Sequence, residues 1–447
     1  MFHEFFLLEK FLSVGRKVIP RPVFDFFQPW YHGMLALSGQ VFFGRPSRRL
    51  KVIGVTGTKG KSTTVFLIAK FLEEALRPAQ GGPAPVAAIG SLGYKIGDRE
   101  WPNNLKMTMP GRWKIQKFLA QAVKENCRFA VLEVTSEGIK QKRHLGLKFD
   151  AAVFTNLEKE HIESHGSFEK YYLAKQELFK KTKNIHILNA DSPYVDLFSK
   201  FPAKKKIFYG LKEVLQLKVI AFNYKSLLFG DFNKLNILAA AETVKNYGVS
   251  PEIIQKALDK IKTIPGRMEF IPAFVKNPSF MVVVDYAHTP GSLEAVYQTL
   301  KSEILNSKYE TNPKSKIQNP KLICVLGAAG GGRDKWKRPI FGRLAENYCD
   351  RIILTDEDPF DENPEKIIEE IESGFSQNQI SNVKNQKYEK ILDRKEAIKK
   401  AMTLAGGNDI IVITGKGSEN SMAVAGGRKI PWSDKGVVLE ILKELNQ

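Results

Sequence analysis

The chain has 447 residues and a mass of 50.4 kDa, enough for two to four domains at roughly 100–200 residues each. Hydrophobic residues make up 43% and charged residues 26%, a globular balance that excludes a wholly disordered chain, a collagen and a polytopic membrane protein. Lys and Arg number 68 against 48 Asp and Glu, a formal charge of +20, which favours anionic partners such as nucleotides, phosphorylated sugars or acidic lipid; no motif for nucleic acid accompanies it. Cys127, Cys324 and Cys349 fit no zinc spacing and are too few for a disulfide scaffold. They are expected to be reduced, in a cytoplasmic setting.

Residues 1–50 read as a hydrophobic and basic arm. From Phe26 to Gly44 there is no formal charge, Trp30 and Tyr31 lie near one end, and Arg45, Arg48 and Arg49 follow the other. That order suits an interfacial anchor. The stretch is long enough to span a bilayer, but Gln28, Pro29, His32, Gly33, Ser38, Gly39 and Gln40 argue against a span. The reading is a helical arm packed on the next domain, with an anionic membrane surface as the alternative contact.

From Lys51 the pattern is α/β. KVIGVTG is a buried strand, STTVFLIAKFLEEAL a helix, and RPAQGGPAP a loop. FAVLEVTS, AAVFTNL and IHILNAD are further strands, so residues 51–266 are expected to form a central domain on a mostly parallel sheet. Residues 267–447 carry MVVVDYAHT, KLICVLGAAGGG, RIILTDEDP and DIIVITGKG, the strands of a second, Rossmann-like α/β domain. Ligands should gather at the loops beyond the strand carboxyl ends. The polar segments 306–320 and 375–388 read as surface insertions.

Gly57-Thr58-Lys59-Gly60-Lys61-Ser62-Thr63 joins the first strand to the first helix. Backbone N–H groups there, with the helix N-terminus, would cradle phosphate. Lys61 would reach the β- and γ-phosphates of a nucleotide, and the Ser62 hydroxyl would ligate Mg²⁺. Val55 breaks the generic phosphate-loop pattern, which asks for Gly at that position. Glu133, just past a strand end and facing this loop, is a natural Mg²⁺ ligand.

The string Gly54-Val-Thr-Gly57-Thr58-Lys-Gly60-Lys61-Ser62 resembles the nucleotide loop of the Mur ligase superfamily, ATP-dependent enzymes that join an amino acid or peptide to a carboxylate. Further motifs resemble the family's across about 51–440. The resemblance implies metal contacts from Glu133 and His161, with Glu160 where the family usually has Asp. His165-Gly-Ser-Phe-Glu169-Lys-Tyr-Tyr-Leu-Ala-Lys175 implies that Lys175 is carbamylated and serves a second Mg²⁺; outside that pattern, a helical Lys is a solvated charge. Asn233 and Asn236 would line the nucleotide site.

Glu133-Val-Thr135-Ser-Glu-Gly-Ile-Lys-Gln141-Lys-Arg143, Asp285-Tyr-Ala-His-Thr-Pro290 and Gly330-Gly-Gly-Arg333-Asp-Lys-Trp-Lys-Arg-Pro339 are similar to the tripeptide synthetase branch. This implies acceptor contacts from Thr108, Thr135, Gln141 and Arg143, and amino-acid contacts from Arg333, Glu357, Asp358, Gly415 and Glu419. Where diaminopimelate-adding members carry an Arg to pair with a distal carboxylate, this chain has Phe360, so diaminopimelate is disfavoured as donor. Family members also carry a UDP-holding domain of about a hundred residues ahead of the loop. Only fifty residues precede it here, which raises a lipid-linked acceptor and a place at the inner membrane face. The implied reaction is ATP-driven: the carboxylate of a muramoyl peptide becomes an acyl phosphate, and an amine displaces phosphate, as in peptidoglycan precursor synthesis. The alternatives are another ligase of the superfamily, such as a folylpolyglutamate synthase, and a nucleotide-binding scaffold that has lost catalysis.

Overall fold

The computed structural model describes residues 21–79, 81–103, 107–160, 162–212, 219–220, 223–273, 280–307, 320–377 and 387–446. His161, the first twenty residues and most of both polar insertions lie outside them.

Buried apolar runs build the centre of the first sheet. Its strands are β1 (Lys51–Thr56), β2 (Val86–Gly90), β3 (Gly93–Ile96), β4 (Arg99–Trp101), β5 (Phe129–Glu133), β6 (Ala151–Phe154), β7 (Ile185–Asn189), β8 (Lys205–Tyr209) and β9 (Val219–Ile220). Their order is β4-β3-β2-β5-β1-β6-β7-β8-β9, parallel from β2 to β9 with β3 and β4 antiparallel at one edge. Every residue of β2, β5, β6 and β7 is buried, as a parallel sheet covered on both faces demands. On one face the helices Lys61–Leu76, Asp231–Lys245 and Pro251–Lys260 pack through Leu67, Phe71, Ile237 and Ile254. On the other, Arg112–Lys124 and Phe168–Lys181 pack through Leu119, Leu178 and Phe179. Each such side chain withdrawn from water contributes about 1.5–3 kcal/mol. Val153, fully buried between the layers, is a position where Asp would strand a charge.

The second sheet holds β10 (Glu269–Ala273), β11 (Phe280–Asp285), β12 (Leu322–Leu326), β13 (Arg351–Leu354), β14 (Tyr388–Lys390) and β15 (Ile410–Thr414), in the order β10-β11-β15-β12-β13-β14. Only β10 runs antiparallel. Helices Pro290–Ser307 and Arg338–Tyr348 cover one face and Arg394–Leu404 and Asp434–Leu445 the other. A hairpin of β16 (Ser421–Val424) and β17 (Arg428–Pro431) follows β15. The four strands expected from the sequence in this half are β11, β12, β13 and β15; the short edge strands and the hairpin carry no comparable apolar run.

One expectation is corrected. Cys324 and Cys349, both buried, are joined in a disulfide with a Cα–Cα distance of 6.1 Å. Too few cysteines for a scaffold still allow one bridge where β12 and the end of Arg338–Tyr348 pack together; Cys127 is free. In the arm, Arg21–Phe42 is one continuous helix despite Pro29, Gly33 and Gly39. Among the described residues no helix is long and apolar enough to cross a membrane. The linker between the sheets passes under the loop after β15: Gly266 has φ +61°, and a Cβ there would lie 2.0 Å from the Ser418 nitrogen, so only glycine fits.

Candidate active site

The loops after β1, β5 and β6 converge at the carboxyl ends of the first sheet. Those after β11, β12, β13 and β15 converge on the second. Both sets wall a single cleft of about 1150 Å³.

The phosphate loop is pinned from beneath. Thr155 Oγ1 donates to the Lys59 carbonyl at 2.6 Å, Lys59 N–H donates to Asn156 Oδ1 at 2.8 Å, and Thr58 N–H donates to the Asn156 carbonyl at 3.0 Å. Gly60, φ +75°, ends the loop where a Cβ would lie 2.2 Å from Asn236 Oδ1. That contact brings the helix Asp231–Lys245 against the loop. Asn236 also accepts from Thr64 Oγ1 at 3.4 Å, and its amide donates to Asn233 Oδ1 at 3.4 Å. Asn233 donates in turn to the Phe229 carbonyl at 2.8 Å.

Ser62 Oγ donates to Glu133 Oε2 at 3.0 Å, and Ser91 N–H reaches the same oxygen at 2.9 Å. Lys61 Nζ lies 4.0 Å from Glu133 Oε1 and donates to the Thr58 carbonyl at 2.8 Å. Ser91 Oγ in turn meets Thr108 Oγ1 at 2.9 Å. A hydroxyl and a carboxylate in contact beside a phosphate loop are hard oxygen donors of the kind Mg²⁺ takes, with the rest of its shell from phosphate and water. Among the described residues no group of three His, Cys, Asp or Glu makes a cage by itself.

Ser167 caps the helix Phe168–Lys181, whose buried stripe runs Tyr171, Lys175, Leu178, Phe179. That is one helical face, with a lysine placed on it. Lys175 is 2% exposed. Nζ donates to the Gly57 carbonyl at 2.6 Å and sits 4.5 Å from the Tyr171 ring. Burial, reinforced by Lys61, pushes this amine well below its ordinary range, against the pull of Glu160 and Glu133. Glu160 is itself buried, and burial raises its carboxyl despite Lys337, Lys61, Lys175 and Lys59.

At one end of the cleft Thr135 caps the helix Ser136–Lys140, its hydroxyl accepting from Gly138 N–H at 3.0 Å. Arg143 donates to Gln141 Oε1 at 2.7 Å and to the Met109 carbonyl. Thr108, Thr135, Gln141 and Arg143 all line the cleft. At the other end Lys416, fully buried, donates to both Asp358 oxygens at 2.9 Å and to Glu419 at 2.5 Å. Ala423 N–H also donates to Asp358, and the Tyr286 hydroxyl to Glu419 at 3.3 Å. Arg333, Asp358, Phe360 and Glu419 line the cleft. Glu357 and Gly415 do not: they pack on each other behind the wall, where burial pushes the Glu357 carboxyl up to about 7 against the pull of Arg394 and Lys416. Gly57 and Lys175 likewise lie beneath the lining rather than in it. His161 is outside the described residues.

Several residues of this site escaped the sequence reading. Thr155 and Asn156 hold the loop; Lys416 holds the opposite wall. His288 Nε2 stands 3.7 Å from Glu160 Oε1, and Lys337 Nζ donates to the His288 carbonyl at 3.2 Å, joining the two halves. Lys416 stands in the same string as Gly415 and Glu419, the two residues to which the resemblance points.

Residues 55–244 match the Mur ligase middle domain, and residues 266–417 match the Mur ligase, glutamate ligase domain. The chain belongs to the Mur ligase family. It is 34% identical over 429 residues to UDP-N-acetylmuramoyl-L-alanyl-D-glutamate--2,6-diaminopimelate ligase 1 of Clostridium acetobutylicum, covering 92% of this chain and 82% of that protein. It is 32% identical over 445 residues to the UDP-N-acetylmuramyl-tripeptide synthetase of Roseiflexus sp., with the same two coverages. The solved structure of a UDP-N-acetylmuramoyl-L-alanyl-D-glutamate--2,6-diaminopimelate ligase superimposes with a TM-score of 0.55 at 29% identity, covering 89% of this chain and 79% of that one. Mycobacterium tuberculosis folylpolyglutamate synthase reaches a TM-score of 0.60 at 16% identity, covering 86% and 92%; that likeness is of fold alone. ATP-dependent amide ligation, with a general need for Mg²⁺, is the activity of the family.

Proposed function

We propose that this Mur ligase uses ATP to join an amino acid to the terminal carboxylate of a muramoyl peptide. The observation that carries the reading is one cleft lined by the phosphate loop, with Glu133 and Ser62 beside that loop, Arg143 at one end and Arg333 at the other.

ATP is a substrate, its phosphates over Gly57–Thr63 and its base towards Asn233 and Asn236. Ser62 and Glu133 would hold Mg²⁺, which supplies charge neutralisation at the phosphates. Lys61 offers a cation to the transferring phosphoryl group. Thr108, Thr135, Gln141 and Arg143 orient the acceptor so that its carboxylate attacks the γ-phosphate, giving an acyl phosphate and ADP. The donor amine then attacks the acyl carbon, and phosphate leaves. Arg333 and Glu419 position that donor, while Asp358 is held by Lys416. Lys175 is read as the site of a carbamate: a neutral amine adds to CO₂ with loss of one proton, and its burial supplies the neutral amine. His161 retains the metal-contact role that the family resemblance implies. The donor is read as an amino acid that needs no cation at position 360, lysine among the candidates.

The test is phosphate release with ATP, Mg²⁺ and UDP-MurNAc-dipeptide across a panel of amino acids, with Lys175→Ala as control. Turnover with one donor, lost in the variant, is expected. ATP binding without turnover on any donor would overturn the reading.

A further inference from the structure

A second surface combines exposed apolar side chains with a local surplus of cations. On the helix Arg21–Phe42, Met34, Leu37, Val41 and Phe42 are 65%, 53%, 64% and 61% exposed, at spacings that keep them on one side. The other side, with Ala36 and Gly39 buried, packs on the helix Arg112–Lys124. Phe42 and Phe43 meet the Trp113 ring at centroid distances of 5.1 and 5.6 Å. Ser47 Oγ donates to the Gly146 carbonyl at 3.4 Å, tying in the segment 138–149. Large apolar side chains grouped this way mark an interaction site.

The charge around them says with what. Across residues 32–50, 112–124 and 138–149 there are eleven Lys and Arg and no Asp or Glu, more than half the chain's surplus of +20. Arg45, Arg48 and Arg49 are exposed directly beyond the apolar face. We propose that this face docks on an anionic lipid bilayer, with Met34, Leu37, Val41 and Phe42 at the headgroup–acyl boundary and the basic residues on headgroup phosphates. A second copy on the same face would set one strongly basic patch against another. The surface adjoins the cleft, since Arg112 donates to the Gln141 carbonyl and Gln141 lines the cleft. Docking therefore brings the Arg143 end of the cleft near the membrane. This inference does not depend on the ligase reading.

The test is flotation of the full chain with vesicles of phosphatidylglycerol and phosphatidylcholine, and with phosphatidylcholine alone. Binding to the mixture at low salt is expected, with weak binding to the neutral vesicles. Leu37→Glu with Val41→Glu should abolish it, and Arg45→Gln, Arg48→Gln and Arg49→Gln together should weaken it about a hundredfold. All five positions are exposed, so melting by circular dichroism should match the wild type in both variants. No flotation, or a double-glutamate variant that floats like the wild type, overturns the proposal. So does a wild-type dimer in sedimentation velocity that the double variant turns into monomer, which would assign the face to self-association.

Discussion

Lys175 and Lys416 are both buried lysines at the same cleft, one under each wall, and they have opposite chemistry. Lys175 is 2% exposed and Lys416 0%. Lys416 has two carboxylates on its three donor positions, so Glu419 and Asp358 overcome its burial and hold its pKa above the ordinary value. Lys175 has one carbonyl and an aromatic face, with no carboxylate in ion-pair contact among the described residues, and its burial prevails. Burial alone does not set the role of a lysine. Its partners decide whether its charge is held or disfavoured.

The largest test of that contrast is Lys175→Ala. On the proposed carbamate role, losing this amine should lower kcat by about a thousandfold or more, with ATP affinity nearly kept. Added acetate should restore part of the rate if a carboxylate-like group is what is missing; steady-state kinetics with and without acetate reads this. Lys416→Met should instead act first on stability. It removes the cation shared by Asp358 and Glu419, a loss of about 3–4 kcal/mol, read as a lower urea midpoint, and acetate should restore nothing.

Glu357→Gln sharpens the second wall. The carboxyl stands at about 7 in the folded protein against an ordinary 4.5, so the folded state keeps its proton longer than the unfolded chain. Its contribution is full below the ordinary value and is lost as pH rises through about 7. The variant should be more stable than wild type at alkaline pH by on the order of 2–3 kcal/mol and no more stable in acid, as urea unfolding at both ends would show. The smallest effect is expected from Phe360→Arg. A guanidinium at this point of the lining should raise kcat/KM for diaminopimelate relative to lysine by about tenfold, measured by donor competition.

The sheet cores were legible because a strand buried on both faces leaves an uninterrupted apolar run, as in Lys51–Thr56 and Ile410–Thr414. The phosphate loop was legible because glycine, lysine and serine must stand in a set order between strand and helix. The edge strands Arg99–Trp101 and Tyr388–Lys390 were not, since strands largely exposed at a sheet edge need no such run. Lys175 stood out only through its surrounding pattern, although its place on the Tyr171–Leu178 face already spelled burial. Lys416 meets Asp358 and His288 meets Glu160, partners distant in the chain, and spacing carries no record of those. The bridge between Cys324 and Cys349 depends on β12 lying beside the end of a helix, a neighbourhood that exists only after folding.

The crossing at Gly266 couples two things that look separate. The linker between the sheets touches the loop of Lys416 backbone to backbone, with no side chain between them to yield. A change in the angle between the two halves is therefore passed directly to Ser418 and its neighbours, Lys416 and Glu419. The Lys416–Glu419 wall and the linker are packed as one piece, and a methyl group added at Gly266 would work as a wedge, displacing that wall from outside the cleft.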